Sequence, residues 1–160
     1  HGSVLRGDLN AVRVGAGSTI GSRCVLHAAR SSPTGLPAAT SVGRDVTVGD
    51  RCLLRSATVG DGAVLGEGSI LLEGSVVGAG AVLGPGTVVP PGRLVPAGEL
   101  WAGKPARFVR ALTKDERAAT AAVAAESGAS RAGGYAQHEL PEGGMRYKAV
   151  EALREALSGK

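Results

Sequence analysis

The sequence predicts an all-β chain wound as a left-handed parallel β-helix, a triangular prism of hexapeptide coils followed by α-helices. Three observations carry that expectation. Aliphatic or aromatic residues recur every six positions at Val59, Leu65, Leu71, Val77, Leu83, Val89, Val95 and Trp101. Glycine recurs three residues later, from Gly62 in steps of six to Gly98. Aromatics make up only 2% of the 160 residues, against 26 glycines.

A period of six matches neither the 3.6 of a helix nor the alternation of a long strand. It fits short strands joined by tight turns, in which glycine supplies the φ > 0 conformation. Three hexads then close one coil, and coils stack. The scarcity of aromatics follows, because the interior of such a prism is narrow. Small residues at position five (Ala63, Ser69, Ser75, Ala81, Thr87) are expected to share that interior with the position-one aliphatics. Position six is apolar too (Val64, Ile70, Val76, Val82, Val88, Leu94). Side chains alternate faces along a strand, so these should point outward. An outward apolar row is either β-propensity or a face covered by other subunits or a C-terminal helix.

Taken from the start, Val14, Ile20 and Leu26 form a first block of coils, and a loop with Pro33 and Pro37 follows over 28–41. Val42, Val48 and Leu54 resume the phase, which is broken by one deleted residue after Thr58. The prism is expected to fill residues 1–106, its first coils lying before His1, so that targeting cannot be judged directly. Ala102-Gly103-Lys104-Pro105 ends the repeat, leaving 107–160 as a helical tail. Within it, Thr113-Lys114-Asp115-Glu116 has the form of a capping box. A helix should run from there to about Glu126, and a second over 147–158 with Val150, Leu153 and Leu157 on one side.

Composition excludes several functions. The net charge of +4 comes largely from scattered arginines without interleaved aromatics, which argues against nucleic acid as a partner. Cys24 and Cys52 form no CxxC pattern and read as reduced thiols, either coil-lining or on the surface. No run approaches 18 apolar residues, so no transmembrane segment is expected in this chain.

Three stretches go further: VLRGDLNAVRVGAGSTI (4–20), VLH ending at His27 with the long loop to VTVGD (46–50), and WAGKPARFVR (101–110). In order and spacing they resemble the γ-class carbonic anhydrases, in particular the branch that includes the mitochondrial carbonic-anhydrase-like subunits of respiratory complex I. The resemblance spans about residues 1–115. It implies a trimer in which three histidines hold zinc at the junction of two subunits. The first of these positions is kept as His27. The second, in a VTVGH pattern, is Asp50 here, and the third, in an LHGC pattern, is Arg55. A Gln-Asp pair of the family is matched by Gly21-Ser22. Arg6 and Asp8 match its RGD segment, an interface and anion-binding pair.

Catalytic zinc needs about three ligands with free lone pairs and an open position for water. Arg55 cannot ligate, because its guanidinium stays protonated and offers no lone pair. By the family's geometry the chain would present His27 and Arg55 to one trimer interface and Asp50 to the other. Arg6, Asp8, Asp50 and Arg55 are therefore expected at trimer interfaces, with Arg55 replacing the cation and pairing with a neighbour's carboxylate. No catalytic residue and no zinc bound by this chain alone are expected; zinc remains possible at an interface between two intact partners.

The resemblance thus implies a structural pseudoenzyme. Its partners would be other γ-carbonic anhydrase-type subunits and membrane-arm subunits of complex I, at the matrix side of the mitochondrial inner membrane. Two alternatives stand beside it. One is an active zinc γ-carbonic anhydrase in which Asp50 ligates. The other is a hexapeptide-repeat acyltransferase with His27 as base. The bland reading of His27 is a hydrogen-bonded coil histidine, and of His138 a solvated one.

Overall fold

The computed structural model describes residues 1–31, 35 and 37–122. Among the described residues sixteen short strands form three sheets, the faces of a prism, parallel except where the last strand joins. The first face holds β1 (Val4–Arg6), β4 (Val25–His27), β7 (Leu53–Arg55), β10 (Ile70–Leu71) and β13 (Val88–Val89). The second holds β2 (Val12–Val14), β5 (Thr40–Val42), β8 (Thr58–Val59), β11 (Val76–Val77) and β14 (Leu94–Val95). The third holds β3 (Thr19–Ile20), β6 (Thr47–Val48), β9 (Val64–Leu65), β12 (Val82–Leu83), β15 (Glu99–Ala102) and β16 (Arg107–Ala111). Each strand pairs with one a full coil away, so Leu54 lies beside Leu71 and Leu71 beside Val89.

The hexad determines which side chains go in. Position-one residues from Val42 to Val95 are 0–2% exposed, and Ala63, Ser69, Ser75, Ala81 and Thr87 are fully buried between them. Stacked aliphatics fill the bore, and dispersion contacts between coils take the place of a thick layered core. The turns follow the same phase. Gly62, Gly68, Gly74, Gly80, Gly86, Gly92 and Gly98 all have φ of 61–69°. That left-handed region strains any residue with a Cβ. Three corners nonetheless use Arg23, Asp45 and Arg51 at the matching place, with φ of 51–57°.

Two expectations change. The missing residue falls before Thr58, not after it. Ser56 takes the left-handed conformation (φ 47°) and Ala57 is fully buried, so the turn after Leu54 is the shortened one. The shortened turn begins with Arg55. Residues 107–111, placed with the helical tail by their sequence, form a strand instead. β16 folds back antiparallel on β15, and Phe108 meets the Trp101 ring edge-on with centroids 6.4 Å apart. Pairing with the last coil supplies β16 with a backbone partner that no local pattern predicts.

The tail's first helix begins where the capping box places it and is helical over the described residues 114–122. The Glu116 amide donates to Thr113 Oγ1 at 3.2 Å, and the Thr113 amide donates to Glu116 Oε2 at 2.9 Å. Arg110 forks onto the same carboxylate with two bonds of 2.7 Å. Together the guanidinium and the capped amide pull the Glu116 carboxyl down to about 2. The helix brings Ala119 and Thr120 to a shallow cavity over Val64 and Val82, on the outer face of the third sheet. The second tail helix and His138 lie outside the described residues.

Candidate functional site

The first sheet carries the residues singled out by sequence, and parallel register explains why two of them meet. Arg6 pairs with His27, and His27 with Arg55, so the three side chains form a column down one edge of that sheet. The edge is the corner leading to the second sheet. His27 is half-buried there, and its backbone carbonyl accepts from the Ser56 amide at 3.0 Å and from Thr40 Oγ1 at 2.7 Å. These bonds tie the shortened turn, the start of the long loop and its return at Thr40 to one point.

Both guanidiniums in the column are neutralised within the chain. Arg6 grips Asp8 through Nε and Nη2 at 2.9–3.1 Å, which raises the arginine pKa and lowers that of the aspartate. Arg55 Nη2 lies 2.8 Å from Glu73 Oε1, on the next coil. Half of the Arg55 side chain and a third of that of Glu73 remain exposed. Sequence reasoning expects Arg55 to meet a carboxylate of a neighbouring subunit; within this chain it meets Glu73. Glu73 follows Leu71 by two residues, as Ser56 follows Leu54, so the stacking of coils could have pointed to it.

Asp50 sits elsewhere. It follows β6, at the corner between the third and first sheets, whereas His27 and Arg55 end strands at the opposite edge of the first sheet. One chain therefore does not bring the three positions together. Among the described residues no three His, Cys, Asp or Glu side chains converge as a metal-binding group. Asp50 Oδ1 instead accepts the Ser22 amide of the preceding coil at 2.7 Å. A groove at this corner is lined by His1, Ser22, Arg23, Asp50 and Arg51.

Of the two places open to Cys24 and Cys52, the structure gives the bore, at 0% and 1% exposure. Their thiols lie 3.1 and 3.2 Å from the carbonyls of Gly49 and Gly66, each one coil on. Burial pushes Cys52 up to about 11, so it is a neutral donor and not a nucleophile.

Comparison with known proteins agrees with this architecture. A family model described as bacterial transferase hexapeptide (six repeats) matches residues 56–91. A solved structure described as a hexapeptide transferase family protein from Anaplasma phagocytophilum superposes with a TM-score of 0.75 at 35% identity, covering 83% of this chain and 75% of that one. Two Arabidopsis thaliana proteins, gamma carbonic anhydrase-like 1 and 2, mitochondrial, are 64% and 63% identical over 116 residues. That is 72% of this chain but 46% and 45% of theirs, so the chain spans less than half the length of these curated relatives. With the hexapeptide prism, the RGD segment and the retained His27 at its coil edge, the chain belongs to the γ-carbonic anhydrase family of hexapeptide-repeat proteins.

Proposed function

We propose that this chain is a non-catalytic structural subunit of a γ-carbonic anhydrase-type trimer. It would serve in the mitochondrion, peripheral on the matrix side of the inner membrane, in the assembly and stability of complex I. The observation that carries the reading is Arg55. At the third ligand position stands a protonated guanidinium, held by Glu73 at 2.8 Å. It offers zinc no lone pair and sets a positive charge where the cation would go. Asp50 already spends an oxygen on the Ser22 amide. The donor set of this chain does not fit catalytic zinc, and no step of catalysis is routed through it. Zinc would belong to a junction between two intact partners.

The outer surface of the first sheet supports the assembly part of the proposal. Val4, Val25, Leu53, Ile70 and Val88 stand in register as an outward aliphatic row, with Val4 and Val25 at 53% and 39% exposure. His27 and Arg55 border it on one side and Asp50 on the other, the two edges that a ring of three subunits would join. The mitochondrial names of the relatives support the location, and the complex I partners rest on the family resemblance.

The test is zinc content and CO2 hydration of the purified homomeric protein, alongside its native mass. The expected result is a trimer with far less than one zinc per chain and hydration no faster than buffer. Stoichiometric zinc with activity would restore the catalytic reading. An acyltransferase is a second reading, favoured by the solved relative described as a hexapeptide transferase; calorimetry should then detect coenzyme A binding, and none is expected.

A further inference from the structure

The residue at the family's second histidine position performs a task that this chain repeats elsewhere. The tetrapeptide Thr-Val-Gly-Asp occurs at 47–50 and again at 58–61. In the first copy Asp50 Oδ1 accepts the Ser22 amide at 2.7 Å; in the second, Asp61 Oδ1 accepts the Arg44 amide at 2.8 Å. Both bonds run from a corner to the corner stacked on it. Glycine stands just before the amide in both, where a Cβ at Gly21 or Gly43 would collide with the aspartate carboxylate and with the backbone of the stacked coil. Gly21 is itself the position that matches the glutamine of the family's Gln-Asp pair.

We infer that Asp50 is a clamp between coils, equivalent to Asp61, and that its contribution is independent of metal. Glycine at 21 lets the Asp50 carboxylate and the backbone of its coil approach closely enough for the bond. The inference goes beyond the scaffold reading and stands whether or not the assembled protein is catalytic. Its basis is that Asp61 makes the same bond at a different corner, where no ligand position is involved. The aspartate oxygen is the acceptor of each corner amide; the Ser22 amide is part-buried, where an unsatisfied donor is costly, and the Arg44 amide is exposed.

Asp50→Ala, Asp50→Asn, Asp61→Ala and Asp61→Asn in the full chain, melted with and without EDTA, test this. Both alanine variants should lower Tm, on the order of 2–6 °C for Asp50→Ala and by less for Asp61→Ala, whose amide partner is exposed. Both asparagine variants, which keep Oδ1 as acceptor, should recover most of the loss, and EDTA should change none of the melts. If the alanine variants fail to fold, folded asparagine variants alone support the clamp, and unfolded ones overturn it. A silent Asp50→Ala beside a destabilised Asp61→Ala would also overturn it, as would a wild-type Tm that EDTA lowers and Asp50→Ala makes insensitive.

Discussion

His27 and Arg55 are direct partners on adjacent parallel strands, and the guanidinium of Arg55 is turned onto Glu73 one coil further along. An imidazole and a cation thus share an edge without opposing each other, because a carboxylate from the same chain absorbs the charge. Removing Glu73 should expose that conflict. The pair is half-exposed, so its own coupling should be about 0.2–1 kcal/mol in a double-mutant cycle of Arg55→Ala and Glu73→Gln, and smaller in high salt. A coupling indistinguishable from zero at low salt would mean that the ion pair does not order the edge.

The two faces of β10 separate folding from assembly. Leu71 is fully buried between Leu54 and Val89, and Leu71→Ala should cost about 2–5 kcal/mol in denaturant unfolding. Ile70 points outward in the aliphatic row. Ile70→Asp should leave the far-ultraviolet spectrum of the chain intact and reduce the trimer seen by native mass. A full-mass trimer from Ile70→Asp would remove the first sheet's outer face from the proposed contact.

Turn chemistry gives a pair of opposite outcomes. Gly62 has φ of 64° with open space around its Cα, so Gly62→Ala introduces strain without a clash, about 1–2 kcal/mol. Arg51 already bears that strain at φ of 57°, and its exposed contact with Glu67 is a long 3.4 Å. Arg51→Gly should therefore leave Tm unchanged or raise it, while Gly62→Ala lowers it; thermal melts of the two variants decide.

Glu116 makes the start of the tail helix sensitive to acid. Its folded pKa, about 2, lies below the ordinary 4.5, so the unfolded segment binds the proton more readily. The stabilisation is fully present above the ordinary value and is lost as pH falls from about 4.5 toward 2. Hydrogen exchange at residues 114–122 should accelerate relative to the coils across that window. In Glu116→Gln the relative acceleration should disappear, and its persistence would assign the acid sensitivity to another group.

Much of the fold was legible because the hexad is a local rule with a global result. A residue's place in the six determines whether it enters the bore, turns the corner or faces out, and from Val42 to Val95 the position-one residues obeyed. The capping box was legible for the same reason, since Thr113 and Glu116 satisfy each other within one turn. β16 was not, because Arg107–Ala111 acquires its backbone partners only from β15, once the last coil is in place.

The candidate site divides along the same line. By itself the sequence determined the prism, the family and the identity of the groups at its ligand positions, including an arginine whose chemistry excludes it as a ligand. Only the tertiary structure decided where those groups spend their charges and hydrogen bonds. Arg55 meets Glu73, and Asp50 meets the Ser22 amide, because coils stack with one residue directly beside another from a different turn of the chain. Each such pairing depends on the exact number of residues per coil. The long loop between His27 and Thr40 and the shortened turn at Arg55 alter that number at the very edge where the site lies.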